Sequence, residues 1–190
     1  MRQIIAIYSP APQMGKSTIA RHLVDKHGYT RVPFASVLKD MVRPLYRAFG
    51  YTEDQIECFE TFDKTSILHA ISPDCTPRKL YQTLGTEWGR NIIDKNIWLN
   101  AWQNKVKATA GDIVVDDLRF PNEWGAVKVI GGTTVRIERQ ITLSAPAHSS
   151  EGGLAEFDFD YTISNDGTRE ELVAKVDNLT QLIHYSCLVK

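Results

Sequence analysis

The sequence has few of the features that mark secreted, membrane-spanning or nucleic-acid-binding proteins. It contains three cysteines, an odd number without a CxxC pair, which argues against a disulfide framework and against a zinc site built on them. No apolar run reaches the roughly 18 residues of a membrane span, and the apolar start is too short for a signal peptide. The net charge of −1 gives no reason to expect a nucleic-acid or membrane-surface partner. We therefore expect a cytoplasmic domain of 190 residues that binds neither.

One stretch carries a phosphate-binding pattern. The apolar run 4–8 leads into a loop that ends in Gly15, Lys16, Ser17 and Thr18, and a helical pattern follows at once. Backbone N–H groups in such a loop surround a phosphate, and the helix N-terminus adds partial positive charge. Lys16 is then expected to reach the β- and γ-phosphates of a nucleotide, while the Ser17 hydroxyl ligates Mg²⁺.

Two prolines make this loop unusual. The pattern G-x-x-x-x-G-K-[ST] places its first glycine at position 10, where this chain has Pro10, and Pro12 follows inside the loop. Each proline removes an N–H group and fixes φ, but the loop keeps its length and its later N–H groups. We therefore expect a phosphate loop that works and is stiffer at its start. The alternative is an accidental match on a strand, turn and helix.

Short apolar strands alternate with helical patterns along the whole chain. Ser36 is expected to cap its helix, Pro44 to bend or break that helix, and Thr52 with Gln55 to form a capping box. Strands are predicted at 3–8, 29–34, 112–117, 133–138 and 161–165, and helices at 16–27, 36–49, 77–93, 96–110, 121–130 and 168–186. This order predicts an α/β protein with a three-layer α/β/α P-loop NTPase fold and a parallel five-stranded sheet.

The carboxyl end of the third strand carries a second group of candidates. Asp117 there could hold Mg²⁺ directly or through water, and Arg119 could grip a phosphate through two hydrogen bonds. The alternatives are that Asp117 caps the next helix and that Arg119 pairs with Glu123 on the surface. Asp116 is expected on the other side of the strand, so Asp117 is preferred as the ligand.

Residues 78–90 are unusual for a plain helix. Gln82, Thr86 and Glu87 can lie near one face, and Arg90 follows Thr86 at i, i+4 spacing. Two glycines in a helical run cost about 1 kcal/mol each relative to alanine, which suggests the close approach of another group, such as a nucleotide. A solvated face, with glycines that serve helix packing, is the alternative.

Basic residues stand beside the loop that follows the fourth strand. Arg136 and Arg139 lie at its base, and residues 140–157 are rich in serine, alanine, glycine and histidine. Such a loop could be a lid that closes over phosphates and excludes water. An ordinary surface loop is the alternative.

Taken in order, these motifs resemble the bacteriophage deoxynucleoside monophosphate kinases over nearly the whole chain. The specific pieces are Leu-Gly-Thr-Glu-x-Gly-Arg at 84–90 and Asp-x-Arg-Phe-x-Asn-Glu at 117–123. They are accompanied by Gly-Lys-Ser-Thr at 15–18, Phe34-Ala35, Leu38-Lys39, Trp98, His148-x-Ser150-Glu151 and Asp160-Tyr161-x-Ile163-x-Asn165. The resemblance implies a nucleoside monophosphate kinase-like fold that transfers the γ-phosphoryl group of ATP, with Mg²⁺, to a deoxynucleoside monophosphate.

The resemblance also implies an organisation and a set of site residues. A single kinase domain over 1–190 would have a core at 1–34 and 111–190, a helical monophosphate-binding insert at about 35–110 and a lid at about 139–157. The catalytic residues would be Lys16, Arg119, Arg139 and Asp117, with Ser17 and Asp117 on the metal ion. ATP would contact Gln13, Gly15, Lys16, Ser17, Thr18, Asn165 and Gly167. The monophosphate would contact Lys39, Arg78, Gln82, Thr86, Glu87 and Arg90.

Two other functions stay open at this point. One is a kinase of another small metabolite on the same fold, such as a dephospho-coenzyme A kinase. The other is a regulatory module that binds ATP without transferring phosphate, for which Pro10 is the only support. We expect ATP and a deoxynucleoside monophosphate as small-molecule partners, with a homodimer left open and the host cytoplasm as location if a phage encodes the chain.

Overall fold

Five parallel strands form one sheet in the order β2-β3-β1-β4-β5. The computed structural model describes residues 2–140 and 153–188, the last two by their backbone only. The strands are β1 (Ile4–Tyr8), β2 (Thr30–Arg31), β3 (Ile113–Val115), β4 (Thr133–Glu138) and β5 (Tyr161–Ser164). In register, Ile5 lies opposite Val114 on one side and Thr133 on the other. The predicted parallel five-stranded sheet is confirmed.

Seven α-helices and one π-helical segment connect and follow these strands in the described part of the chain. Their bounds are α1 (Lys16–His27), α2 (Ser36–Ala48), α3 (Glu53–Thr61), α4 (Pro77–Gln82), the π-helical segment Thr83–Ile93, α5 (Ile97–Ala108), α6 (Pro121–Val129) and α7 (Arg169–Leu188). None of the described helices combines the length and the apolar character that a membrane crossing requires.

The chain divides into two compact units, residues 1–34 with 105–190 and residues 35–104. In the first unit, Ile5 and Ile7 of β1 are buried in one cluster with residues of α1 and α7. Ile4, Ala6 and Tyr8 alternate with them and therefore face the other side of the sheet. Right-handed crossovers place α1 and α6 on opposite faces, because β1 to β2 and β3 to β4 run in opposite directions across the sheet. The first unit is thus a three-layer structure.

The second strand is shorter than predicted. The N–H of Thr30 donates to the carbonyl of Asp112 at 2.8 Å, and the N–H of Val32 to the carbonyl of Val114 at 2.9 Å. The next donor in this alternation is the Phe34 N–H, which bonds to the Asp117 side chain at 2.8 Å instead, so the backbone pairing stops there. The fourth strand has the predicted bounds.

The second unit corrects two predictions about α2. Ser36 is already the first helical residue after Ala35, and the described structure shows no side-chain hydrogen bond at that cap. Pro44 lies inside α2 and does not break it, and Pro44 is exposed while Val42 and Tyr46 are buried in the core of the unit. The bend expected at Pro44 stays a prediction. The predicted capping box is confirmed, because Thr52 and Gln55 exchange backbone and side-chain hydrogen bonds at the start of α3.

The helix predicted at 77–93 is α-helical only to Gln82 and π-helical beyond it. Both glycines of this stretch face neighbours within the unit. A Cβ on Gly85 would lie 2.9 Å from the Leu38 side chain, and one on Gly89 would lie 2.6 Å from the Trp98 ring. Trp98 also donates its indole N–H to the Gly85 carbonyl at 2.7 Å. The glycines therefore serve helix packing, and the interpretation that they admit a nucleotide is wrong.

Candidate functional site

The loop between β1 and α1 is anchored by two apolar side chains. Ala11 is 3% exposed and Met14 is 4% exposed, and both belong to the core cluster of the first unit. Gln13 between them takes a positive φ of 60°, and Gly15 takes a φ of 104°. The loop thus turns twice in the left-handed region while its apolar side chains point into the core, although Pro10 replaces the expected glycine.

Asn165, just beyond β5, holds the same loop from a distant part of the sequence. Its side-chain N–H donates to the Met14 carbonyl at 3.0 Å, and Asn165 is itself buried. A Cβ on Gly15 would lie 2.6 Å from the Asn165 Nδ2 atom. Position 15 therefore requires glycine for two reasons, its backbone conformation and the closeness of this amide.

The N-terminus of α1 is prepared for an anion. The helix starts at Lys16, its first turn contains no acidic residue, and within the described structure no side chain caps it. Its first N–H groups have no intrahelical acceptor, so they carry partial positive charge that favours a phosphate. Lys16 donates from its ammonium to the Ser9 hydroxyl, and Ser9 donates in turn to the Ala11 carbonyl at 2.7 Å. Ser17, on the same turn, is exposed.

A cavity of about 270 Å³ opens beside this helix terminus. Its lining includes Gln13, Gly15, Thr18, Arg139, Asn165, Gly167, Arg169 and Leu172. Six of these residues belong to the site predicted from the sequence. Arg169 and Leu172, in the first turn of α7, were not predicted. Their signal was the position of that turn directly after Gly167, at the carboxyl end of the sheet.

The two carboxylates after β3 have different surroundings. Both oxygens of Asp116 accept from the Arg31 guanidinium, at 2.9 and 2.6 Å, so this buried charge is neutralised. Asp117 is half-buried, and its Oδ1 accepts from the Phe34 N–H at 2.8 Å. The interpretation of Asp117 as the cap of α6 does not hold. Glu123 has that role, since its carboxylate accepts from the N–H groups that precede the helix.

Arg119 and Arg139 are both exposed in the first unit. Arg139 lines the cavity, whereas the described lining contains neither Arg119 nor Asp117. The Arg119 backbone N–H donates to the Glu123 carboxylate at 3.0 Å, and Arg119 is exposed. Most of the predicted lid, including the motif with His148, Ser150 and Glu151, lies outside the described residues.

The residues predicted to bind the monophosphate all belong to the second unit. Lys39 donates to the Glu60 carbonyl at 3.2 Å, and Glu60 is held by Arg43 through two hydrogen bonds of 3.0 and 2.7 Å. Arg90 is half-buried within the π-helical segment. The other four are exposed: Arg78, Gln82, Thr86 and Glu87. The pairing of Arg43 with Glu60 has no local sequence signal, because 17 positions separate the partners.

A parallel sheet, a phosphate loop after its central strand and a positively charged helix start together define a P-loop nucleotide-binding fold. The family described as deoxynucleotide monophosphate kinase matches residues 47–176. A protein of Acanthamoeba polyphaga mimivirus named for this activity is 30% identical, over 88% of this chain and 93% of its own length. The chain belongs to the deoxynucleotide monophosphate kinase family, which confirms the predicted membership.

The chain is also similar to a phage enzyme and, more distantly, to a solved kinase structure. The deoxynucleotide monophosphate kinase of Enterobacteria phage T4 is 30% identical over 74% of this chain, which spans only 61% of that longer protein. Among solved structures, the dephospho-CoA kinase from Campylobacter jejuni has 13% identity and a TM-score of 0.47, covering 96% of this chain and 97% of its own. A structural similarity this low gives no information about the substrate of this chain.

Proposed function

We propose that this protein transfers the γ-phosphoryl group of ATP to a deoxynucleoside monophosphate. The observation that carries the proposal is the cavity at the start of α1, where a phosphate loop, Arg139 and the Asn165–Gly167 turn meet in a member of this kinase family. The triphosphate would lie along the loop, with Lys16 on its β- and γ-phosphates. The turn after β5 and the first turn of α7 would flank the adenine.

Magnesium is the metal ion that such a kinase requires, and the donor atoms present suit it. A serine hydroxyl and a carboxylate oxygen are hard oxygen ligands of the kind that Mg²⁺ prefers. Ser17 is exposed on the first turn of α1 and Asp117 is half-buried at the end of β3. Asp116 is a poorer candidate, since Arg31 engages both of its oxygens. We propose that Ser17 and Asp117 hold the ion, which would neutralise phosphate charge.

The protein's own part in the reaction is positioning and charge stabilisation. The acceptor phosphate oxygen is already a nucleophile, so no general base is needed, and catalysis depends on in-line alignment. Lys16, Arg119 and Arg139 would stabilise the charge on the transferring group. In the second unit, Arg78 or Arg90 would bind the acceptor phosphate, with Lys39, Gln82, Thr86 and Glu87 around the nucleoside. A cytoplasmic location and a homodimer stay predictions.

A coupled ADP-release assay tests the proposal. ATP and Mg²⁺ would be supplied with each of the four common deoxynucleoside monophosphates, their ribose counterparts and dephospho-coenzyme A. Turnover with one or more deoxynucleoside monophosphates is expected. Turnover with dephospho-coenzyme A alone would identify the alternative kinase, and ATP binding without turnover on any acceptor would identify a regulatory module.

A further inference from the structure

Three side chains with metal-binding atoms converge between α1 and α7. The Nε2 atoms of His22 and His27 each lie 2.7 Å from the same Asp177 oxygen, Oδ1. One ligand atom from each residue fits within a group whose members are all within 4.8 Å of one another. The two imidazole rings meet edge to face, with centroids 5.6 Å apart. Two ring nitrogens and one carboxylate oxygen are thus brought together at the distances from which a single ion could be shared.

The other carboxylate oxygen has its own partner. Lys26 donates from its ammonium to Asp177 Oδ2 at 2.7 Å. This contact orients the carboxylate so that Oδ1 faces both imidazoles, as an outer partner orients a metal ligand. It also leaves Asp177 to bind a metal ion through one oxygen.

The chemistry of the three ligands selects the ion. Neutral imidazole nitrogens suit zinc and its neighbours in the first transition series, whereas Mg²⁺ and Ca²⁺ prefer sites made of oxygen atoms. Two histidines and one carboxylate form a known set of three protein ligands for zinc, with water in the fourth position. The side chains of His22, His27 and Asp177 are 17%, 23% and 24% exposed, so an ion and its water can reach them.

We propose that His22, His27 and Asp177 form a binding site for a divalent transition-metal ion of the zinc class. Binding would replace the two Nε2 hydrogen bonds to Asp177 Oδ1 with bonds to the ion. Each neutral imidazole would then carry its proton on Nδ1, and an imidazolium would release one proton to solvent. The ion would join α1 to α7 beyond their shared apolar contact. Both helices contribute residues to the nucleotide cavity from their first turns, Thr18 from α1 and Arg169 with Leu172 from α7. The proposal does not depend on the kinase activity.

The test is titration of the protein, free of any affinity tag and stripped with chelator, with ZnCl₂ in a calorimeter and with CoCl₂ in a spectrometer. One ion per chain is expected, with visible absorption from a cobalt–imidazole centre and a rise in melting temperature. His22→Gln, His27→Gln and Asp177→Asn should each weaken binding at least about tenfold. His69→Gln, which changes an exposed histidine of the second unit, is the matched control and should bind like wild type.

The titrations distinguish a metal-binding site from a cluster that is only hydrogen-bonded. Saturable binding to wild type and to His69→Gln, lost in His22→Gln, supports the site. Equal zinc affinity in wild type and His22→Gln, or no cobalt spectrum in wild type, would show a hydrogen-bonded cluster only and overturn the proposal. Circular dichroism of each variant identifies any that fail to fold. If His22→Gln fails to fold, the presence or absence of the cobalt–imidazole absorption in wild type tests the proposal instead.

Discussion

At the scale of single residues, the cavity at the start of α1 depends on contacts made by groups far apart in sequence. Asn165 and Met14 are separated by 151 positions, yet one hydrogen bond of 3.0 Å between them fixes the phosphate loop. The amide is buried, so its N–H has no access to bulk water as a substitute partner. Asn165 therefore acts as a positioning residue for the loop, in addition to any contact it makes with a nucleotide.

Replacing Asn165 with alanine should weaken ATP binding. Loss of one buried hydrogen bond costs about 1 kcal/mol, which corresponds to a roughly fivefold rise in KM for ATP. Steady-state kinetics with ATP varied at saturating acceptor measures the change. Thr162→Ala, an exposed position on β5, is the control and should leave KM unchanged. An unaltered KM in Asn165→Ala would contradict the positioning role.

Lys16→Ala should reduce turnover by about 100-fold or more, because it removes the ammonium that would stabilise negative charge on the transferring phosphoryl group. The melting temperature should change little, since Lys16 is at the loop surface and not in the core. Lys107→Ala, at the exposed end of α5, controls for loss of a positive charge elsewhere. Wild-type turnover in Lys16→Ala would refute the assignment of the phosphate site.

At the scale of elements, the π-helical segment Thr83–Ile93 is determined by its packing. Gly85 and Gly89 are buried where the segment meets Leu38 and Trp98, and Gly85 also accepts the Trp98 indole N–H. Thr86 and Glu87 within the segment are exposed, and so is Gln82, which directly precedes it. The glycine side of the segment therefore controls how the predicted acceptor-binding side chains are presented.

Gly89→Ala should lower the free energy of unfolding by about 1–3 kcal/mol, the usual cost of overpacking, because its Cβ would overlap the Trp98 ring. Gly125→Ala in α6 is a matched control with nothing within 4 Å of the new Cβ. Alanine there should instead stabilise the protein by about 0.5–1 kcal/mol through helix propensity. Urea unfolding followed by circular dichroism measures both. Equal effects of the two substitutions would contradict the packing role.

At the scale of the whole molecule, groups with shifted pKa values should make stability depend on pH at both ends of the range. In the first unit, burial raises the pKa of Asp177, but hydrogen bonds from Lys26, His22 and His27 outweigh burial and hold that pKa well below its usual range. In the second unit, burial raises the pKa of Tyr46 to about 12 and raises that of Tyr81 as well. Acid should therefore remove the contribution of Asp177, and alkali should favour unfolding through Tyr46 and Tyr81.

Asp177→Asn, in the presence of chelator, should lose about 1 kcal/mol of unfolding free energy at pH 6. A carboxylate with a lowered pKa contributes stability above its unfolded value of about 4, and this contribution declines as pH falls through the lower folded value. The gap between wild type and variant should thus be constant from pH 6 to about 4 and shrink below that. Urea titrations at several pH values test this, and a gap that widens in acid would contradict it.

Wild-type stability should also decline above about pH 10. A tyrosine with a raised folded pKa keeps its proton in the native state, while the unfolded chain releases it near pH 10, so unfolding becomes easier. Tyr46→Phe has no proton to release and should show a shallower decline. Tyr185→Phe, at an exposed position, should behave like wild type. Thermal melts between pH 8 and 11 compare the three proteins.

The sequence predicts well what local patterns determine. The bounds of β4 and of α1 follow from short-range hydrophobic spacing and from Gly28, which ends α1 in the left-handed conformation. The phosphate loop follows from its motif. The π-helical winding could not be predicted, because its residues have an ordinary helical pattern and only the neighbours Leu38 and Trp98 explain the glycines. The hydrogen bonds between Asn165 and Met14 and between Asp177 and His22 join residues more than 150 positions apart, so no local sequence pattern could predict them.

The contact between Lys16 and Ser9 has a consequence for the entropy of ligand capture. A free lysine side chain samples many rotamers, and ordering it costs up to about 2 kcal/mol. Here the ammonium already donates to the Ser9 hydroxyl, which is itself fixed by its bond to Ala11. Much of the entropic cost of ordering Lys16 is thus met during folding. When a phosphate arrives, the Lys16 ammonium exchanges the Ser9 hydroxyl for a charged and therefore stronger acceptor. The cation is pre-organised before any nucleotide is present.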